Sequence, residues 1–285
     1  MKKLLILLLL ISLFGCKQRE VVDYDSINSF NYDEVEELSY SIHSNEYLLV
    51  RMSDFKVLNS KDADKIIYPA SLTKLMTLDA VLHLVPDLNT TSSISYEQVQ
   101  ELIDEDASLA YIKTDHDYSI RDLLYALILP SGADAAVALE NYFSNNGMNL
   151  IDEMKVLLEE LGCENTVFVN TTGLHDERHH TTLNDLFTIV MDILKYEEGR
   201  QILESISHSC DDGVFLRSSL RAIKTNQANV LGGKTGYTEE SGQSVMVLFK
   251  KNNRSYLLFV ANAYGDYSLD QYWHYEDALE IISKI

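Results

Sequence analysis

Ser71-Leu72-Thr73-Lys74 sets a hydroxyl and an amine three residues apart, a spacing that puts both on one face of a helix with Cβ atoms about 5–6 Å apart. That is the minimum for an activated nucleophile. A serine alcohol attacks a carbonyl at neutral pH only if a neighbour accepts its proton, and a lysine does so only when neutral, which requires burial and a nearby cation to pull its pKa down from about 10.4. A helix N-terminus at Ser71 would add a backbone N–H and a favourable dipole for the developing oxyanion. The spacing alone is cheap: Ser53-Asp54-Phe55-Lys56 repeats it in a segment whose pattern reads as a strand, where the two side chains would face opposite sides.

Two further groups keep company with Ser71. Leu129-Pro130-Ser131-Gly132-Ala133-Asp134 falls between two helical patterns, where a serine hydroxyl can project into a cleft, although a plain helix–helix turn capped by Asp134 explains the same residues. Gly232-Gly233-Lys234-Thr235-Gly236 sits just ahead of a strand pattern. Its glycines let a substrate backbone approach while Lys234 and Thr235 offer a cation and a hydroxyl to a carboxylate. An exposed edge lysine that discourages aggregation is the plainer alternative for Lys234.

The elements that must position these groups follow from periodicity. Loose alternation over 38–58 predicts two strands joined by a turn around Ser44-Asn45-Glu46. Pro69 marks the entrance of a helix that places Ser71 in its first turn and stops near Pro86. Helical patterns cover 96–102, 120–129 (with Ser119 and Asp122 as a cap), 134–143, 150–161 and 183–194. Strands at 244–250 and 255–263 flank a turn at Lys251-Asn252-Asn253-Arg254, and 269–285 reads as a closing helix. Strands at both ends of the chain with helices between them predict one α+β antiparallel sheet flanked by helices, with an inserted helical lobe.

The N-terminus carries an address. Met1-Lys2-Lys3 precedes an eleven-residue run, Leu4 to Phe14, apolar except for Ser12. As a helix it spans about 16 Å, half of a ~30 Å hydrocarbon layer, so residues 1–15 read as a signal peptide and not as a membrane span. Gly15-Cys16, with Leu13 behind, resembles a bacterial lipobox, which implies lipidation at Cys16, a membrane attachment through that lipid and an acidic linker over 16–37. Residues 38–285 then form the folded domain, outside the cytoplasm, either anchored or, without the lipid, secreted.

The net charge of −21 repels nucleic acid, and no basic patch offsets it. Three cysteines form neither a disulfide framework nor zinc-ligand spacing, and Cys163 and Cys210 read either as a pair or as two buried thiols. His175, Asp176, Glu177, His179 and His180 crowd one loop, but a solvated turn before Thr181-Thr182 explains them without a metal. No metal or cofactor is expected.

Ser-x-x-Lys, Ser-x-x and Lys-Thr-Gly, in that order and 60 and 103 residues apart, resemble the motif set of the penicillin-recognising serine enzymes. The wording around them (Tyr68 to Thr77, Leu129 to Ala136, Thr172 to Asp176, Gly233 to Thr238) resembles the serine D-alanyl-D-alanine carboxypeptidases, the low-molecular-mass penicillin-binding proteins, over roughly 38–285. The resemblance implies a β-lactamase/transpeptidase-like fold, peptidoglycan stem peptides as substrate and β-lactams as covalent inhibitors. It implies Ser71 as the acylated nucleophile, Lys74 as its proton acceptor and Ser131 as a relay to the leaving amine. Lys234, Thr235 and Gly236 would hold the terminal carboxylate, with the Ser71 and Tyr237 backbone N–H groups as oxyanion hole. Ala133 departs from the pattern, since many relatives have asparagine there, and it motivates an alternative: a weak or silent penicillin-binding sensor lipoprotein. A β-lactamase is the other alternative, but the class A Glu-x-x-Leu-Asn is missing; the frame ending in Leu183-Asn184 begins with His180.

Overall fold

The computed structural model describes residues 40–223 and 225–285, so the signal segment, Cys16 and the acidic linker lie outside the described residues. In chain order the elements are β1 (Glu46–Arg51), β2 (Lys56–Lys61), α1 (Thr73–Leu84), β3 (Thr91–Ser92), α2 (Tyr96–Asp104), β4 (Tyr118–Ser119), α3 (Ile120–Ile128), α4 (Ala133–Asn145), α5 (Leu150–Leu161), α6 (Leu183–Ile193) and α7 (Glu197–Leu203). They continue as β5 (Ser207–Ser209), β6 (Phe215–Arg217), β7 (Asn229–Thr238), β8 (Gly242–Lys251), β9 (Arg254–Ala263) and α8 (Trp273–Lys284). Five strands form one antiparallel sheet in the order β2-β1-β9-β8-β7, so β1 pairs β9 across almost the whole chain. This is the expected α+β sheet with helices inserted between its N-terminal and C-terminal strands.

Both faces of the sheet are covered, which is why its central strands read as apolar runs and not as clean alternation. Leu48 and Val50 of β1, Met246 and Leu248 of β8, and Leu257 and Phe259 of β9 pack with the helical lobe. Their neighbours Leu49, Val245, Val247, Leu258 and Val260 pack instead with Ala278, Ile281 and Ile282 of α8. Inside the lobe, α1 is buried from Thr73 through Leu82. A helix buried nearly all round belongs to the core, and this one carries the Ser71/Lys74 pair at its entrance.

Four expectations about local structure need correction. The first hairpin turns at 52–55, not at Ser44-Asn45-Glu46; Phe55 takes φ 52° and the Arg51–Asp54 ion pair (2.5 Å) closes the turn. Ser44 is held elsewhere, its N–H and hydroxyl donating to the buried Asp277 of α8 at 2.7 and 2.5 Å. Ser53 therefore lies in a turn and Lys56 opens β2. Ser71 sits in a 3₁₀ turn, Ala70–Leu72, one step ahead of α1. Gly232 to Gly236 lie within β7, where backbone pairing with β8 overrides the weakness of glycine as a strand former. The last helix starts at Trp273, because Asp266 caps a 3₁₀ turn and Asp270 leaves it in the left-handed region (φ 56°). The short strands β3 to β6 and helix α7 carry too few residues to show a period.

Asp277 joins the start of the domain to its last helix, accepting from the His43 N–H as well (2.9 Å). Asp277→Asn should therefore lower unfolding free energy by about 1.5–3 kcal/mol in urea denaturation, the worth of hydrogen bonds to a charged group; an unchanged midpoint would show that the clasp contributes nothing.

Candidate active site

Ser71 owes its position to a strained turn. Ala70, just before it, has φ 48°, a left-handed conformation that an L residue holds only when its surroundings impose it. Thr73 supplies one restraint, its hydroxyl donating to the Ala70 carbonyl (2.7 Å). His179 supplies the next: its Nδ1 accepts from the Val169 N–H (3.1 Å), so Nε2 carries the proton and donates to Thr73 Oγ1 (2.7 Å). Burial lowers the His179 pKa to about 4, which keeps the ring neutral and that proton arrangement fixed. Gly173 closes the turn from outside, since a Cβ there would stand 2.0 Å from the Ala70 carbonyl oxygen and its own φ is 80°.

Lys74 reaches Ser71 as expected, Nζ lying 3.0 Å from Oγ. A second short hydrogen bond runs from the same amine to the Thr172 carbonyl. The loop bearing that carbonyl is fixed to α1 and α4: Thr77 donates to the Thr171 carbonyl (2.9 Å) and Thr171 to Glu140 (2.5 Å). Lys74 is 1% exposed, and burial lowers its pKa to about 7, partly opposed by the charge of Asp134.

Ser131 and Lys234 form a second pair. The Lys234 amine donates to Ser131 Oγ (2.7 Å) and to the Thr235 carbonyl (2.6 Å). Ser131 has φ 67°, and the residues after it are tied down: Gly132 N–H donates to Ala126 and Ala133 N–H to Ser108, at 3.0 and 2.7 Å. Asp134, almost wholly buried, accepts from the Ala110, Ile112 and Ala135 N–H groups, anchoring the start of α4 to the preceding loop. Burial pushes Lys234 well below the ordinary lysine value, and the charge of Lys74 pushes it further, so the two amines lie within electrostatic reach.

β7 is the edge strand that brings these pairs together. Gly236 packs on the Ser71 turn; a Cβ would meet the Pro69 carbonyl oxygen at 2.9 Å. Thr235 shares a hydrogen bond with Ser219 (2.7 Å), whose backbone N–H donates to the Leu129 carbonyl (3.0 Å). Ser71, Lys74, Ala133 and Thr172 line a cleft of about 1440 Å³, with Tyr237, 44% exposed and edge-on to Tyr267, at the end of the motif strand. Lys234 is completely buried, which excludes the reading of it as an exposed edge lysine. His179, Thr172 and Ser219 escaped the sequence reading: all three act across long separations, and His179 looked like one member of a polar loop. It is 2% exposed, whereas its neighbours Arg178 and Asp176 pair with one another at 2.7 Å. Cys163 and Cys210 are separate buried thiols.

The arrangement combines a hydroxyl held against a low-pKa amine with a second amine and two hydroxyls suited to an anionic group. The same fold occurs in the Streptomyces K15 DD-transpeptidase (21% identity, TM-score 0.74, 86% of this chain and 98% of that one). It occurs again in penicillin-binding protein D2 of Listeria monocytogenes, solved with ampicillin bound (22%, TM-score 0.70, with the same coverage). Residues 33–265 match the D-alanyl-D-alanine carboxypeptidase family, and the chain belongs to it. Among curated relatives, the carboxypeptidase DacF of Bacillus subtilis is 26% identical over 220 residues, covering 76% of this chain and 56% of that protein. The D-alanyl-D-alanine endopeptidase of Escherichia coli is 25% identical over 243 residues, covering 83% and 75%. The chain spans little more than half the length of the carboxypeptidases it matches.

Gly173→Ala should cost more than about 1 kcal/mol, because alanine must take a left-handed φ and displace the Ala70 carbonyl. Thermal unfolding measures it; a wild-type Tm would mean that the turn tolerates a Cβ and is not braced there.

Proposed function

We propose that the chain is a serine D-alanyl-D-alanine carboxypeptidase that removes the terminal D-alanine of peptidoglycan stem peptides. The observation that carries this reading is the 3.0 Å contact between Ser71 Oγ and the buried amine of Lys74, on a cleft wall in a member of this family. Neutral Lys74 takes the Ser71 proton as Oγ attacks the carbonyl of the penultimate D-alanine. The backbone N–H groups of Ser71 and Tyr237 stabilise the oxyanion. Lys234 and Thr235, with Gly236 allowing close approach, hold the terminal carboxylate, and Ser131 passes a proton to the departing amine. D-Alanine leaves, and water hydrolyses the ester on Ser71.

Charge complementarity supports this division of labour between the lysines. Burial lowers Lys74, and a carboxylate arriving at Lys234 would favour an ammonium there, whose charge would oppose a second one at Lys74. Ala133 offers no side-chain amide, and the Thr172 carbonyl, through its hydrogen bond with Lys74, supplies a positioning contact in its place. The names of the curated relatives favour carboxypeptidase over β-lactamase or silent sensor. Residues 1–15 serve as signal peptide, a lipid on Cys16 anchors the protein outside the cytoplasmic membrane, 16–37 form the spacer, and 38–285 the enzyme domain.

Intact mass after incubation with penicillin should show the drug's mass added to wild type and not to Ser71→Ala, with D-alanine released from a D-Ala-D-Ala peptide by wild type alone. Labelling of Ser71→Ala would contradict the assignment of the nucleophile. Labelling without D-alanine release would mark a sensor, and rapid clearance of the drug a β-lactamase. Lys74→Met should slow acylation by about 10²- to 10⁴-fold, the usual worth of a general base; a rate near wild type would remove Lys74 from the mechanism.

A further inference from the structure

The far end of α1 carries a second polar cluster that the chemistry above does not use. Asp79 and His83 lie one turn apart on α1, and Asp192 faces them from α6. His83 Nε2 is 2.5 Å from Asp192 Oδ2 and 4.0 Å from Asp79 Oδ1, and one ligand atom from each of the three residues lies within 4.8 Å of the others. Asp192 has a further partner in Lys195, whose amine donates to Oδ1 at 2.7 Å. Asp79 is 0% exposed, and among the described residues neither of its carboxylate oxygens meets a hydrogen-bond donor; the polar group facing it is the Asp192 carboxylate, an acceptor unless a proton lies between them.

A buried carboxylate without a partner is too costly to persist, so positive charge must reach it. One source is a proton on Asp79, shared with Asp192; burial and the charge of Asp192 both raise the Asp79 pKa. The other is a metal ion, and the donor set favours it, since an imidazole nitrogen with two carboxylates is a nitrogen/oxygen set of the kind zinc-class ions take. We infer that Asp79, His83 and Asp192 form a binding site for a divalent zinc-class ion that ties the C-terminal end of α1 to α6. Ligand bonds of about 2.0–2.2 Å in a tetrahedral site put donor atoms about 3.3 Å apart. The His83–Asp192 contact then opens, and the His83–Asp79 contact closes, by less than about 1 Å each. The His83 side chain is 30% exposed, giving the ion a route from solvent and leaving room for a water as fourth ligand. Lys195 orients Asp192 by donating to its Oδ1 and leaves Oδ2 for the ion. The site's α1 ligands lie eight and twelve residues beyond Ser71, about 12 and 18 Å along the helix, so the ion acts on stability and takes no part in acyl transfer.

The experiment strips the full chain with EDTA, desalts it, and titrates zinc sulfate while following thermal unfolding and, after gel filtration, retained metal. Wild type should retain one equivalent and show a Tm that climbs with zinc concentration. Asp79→Asn and His83→Gln should each weaken binding by more than about 100-fold, a larger loss than for a residue that only hydrogen-bonds a ligand. His83→Gln changes a partly exposed position and keeps the test sound if Asp79→Asn folds poorly. His208→Gln, in the separate Asp122/His208/Cys210 group, should retain wild-type binding. Cobalt(II) in the wild type should give visible bands without a thiolate charge-transfer band. No retained zinc, or retention that survives both Asp79→Asn and His83→Gln, overturns the inference; Asp79→Asn that stabilises a zinc-indifferent protein assigns the buried charge to a proton.

Discussion

Two lysines with almost no contact with solvent, Lys74 against Ser71 and Lys234 against Ser131, lie within electrostatic reach of one another, and the cost of keeping both charged organises the site. Burial opposes an ammonium at either position, and each charge opposes the other. One amine is thereby pushed to the neutral form at physiological pH without any dedicated base. The hydrogen bonds decide what each amine serves: Lys74 contacts the Ser71 hydroxyl and a carbonyl, while Lys234 contacts Ser131 and a carbonyl on its own strand.

Burying two lysines requires unusual packing. Helix α1 supplies it by being buried on nearly all sides, so that its first turn, with Lys74, sits inside the lobe and not on its surface. β7 supplies the other wall by packing a glycine-rich edge against the Ser71 turn, an approach that a side chain at Gly236 would block. Left-handed backbone at Ala70 and Ser131, next to the Ser71 hydroxyl and at the Ser131 hydroxyl, shows where the fold concentrates strain. His179 and Asp134 hold those two segments by hydrogen bonds to backbone or to Thr73 without lining the cleft themselves.

Much of this was legible from residue order. Ser71, Lys74, Ser131 and Lys234 were singled out by residue type and by the resemblance of three ordered motifs to a family's set, and the α+β arrangement by strand patterns at both ends of the chain. What escaped are partners whose selection is tertiary. Thr172 contributes a carbonyl, which any residue type provides; His179 sits in a polar loop yet points inward; Ser219 meets Thr235 through a 3₁₀ turn too short to show a period. The first hairpin was misplaced for a related reason. Ser44-Asn45 has the chemistry of a turn, but Ser44 satisfies its polar groups on Asp277, more than two hundred residues away, and leaves the reversal to 52–55.

The proposed acyl transfer requires Lys74 to be a neutral proton acceptor near pH 7, and the pH dependence of Ser71 acylation by a β-lactam measures that directly. Below its pKa of about 7 the amine holds its proton and the active fraction falls tenfold per pH unit. The logarithm of the rate constant should therefore climb with unit slope up to about pH 7 and level off above it, with the lower limb lost in Lys74→Met. A rate still climbing toward the ordinary lysine value of 10.5, or flat across the neutral range, would contradict the claim that burial has made this amine the base.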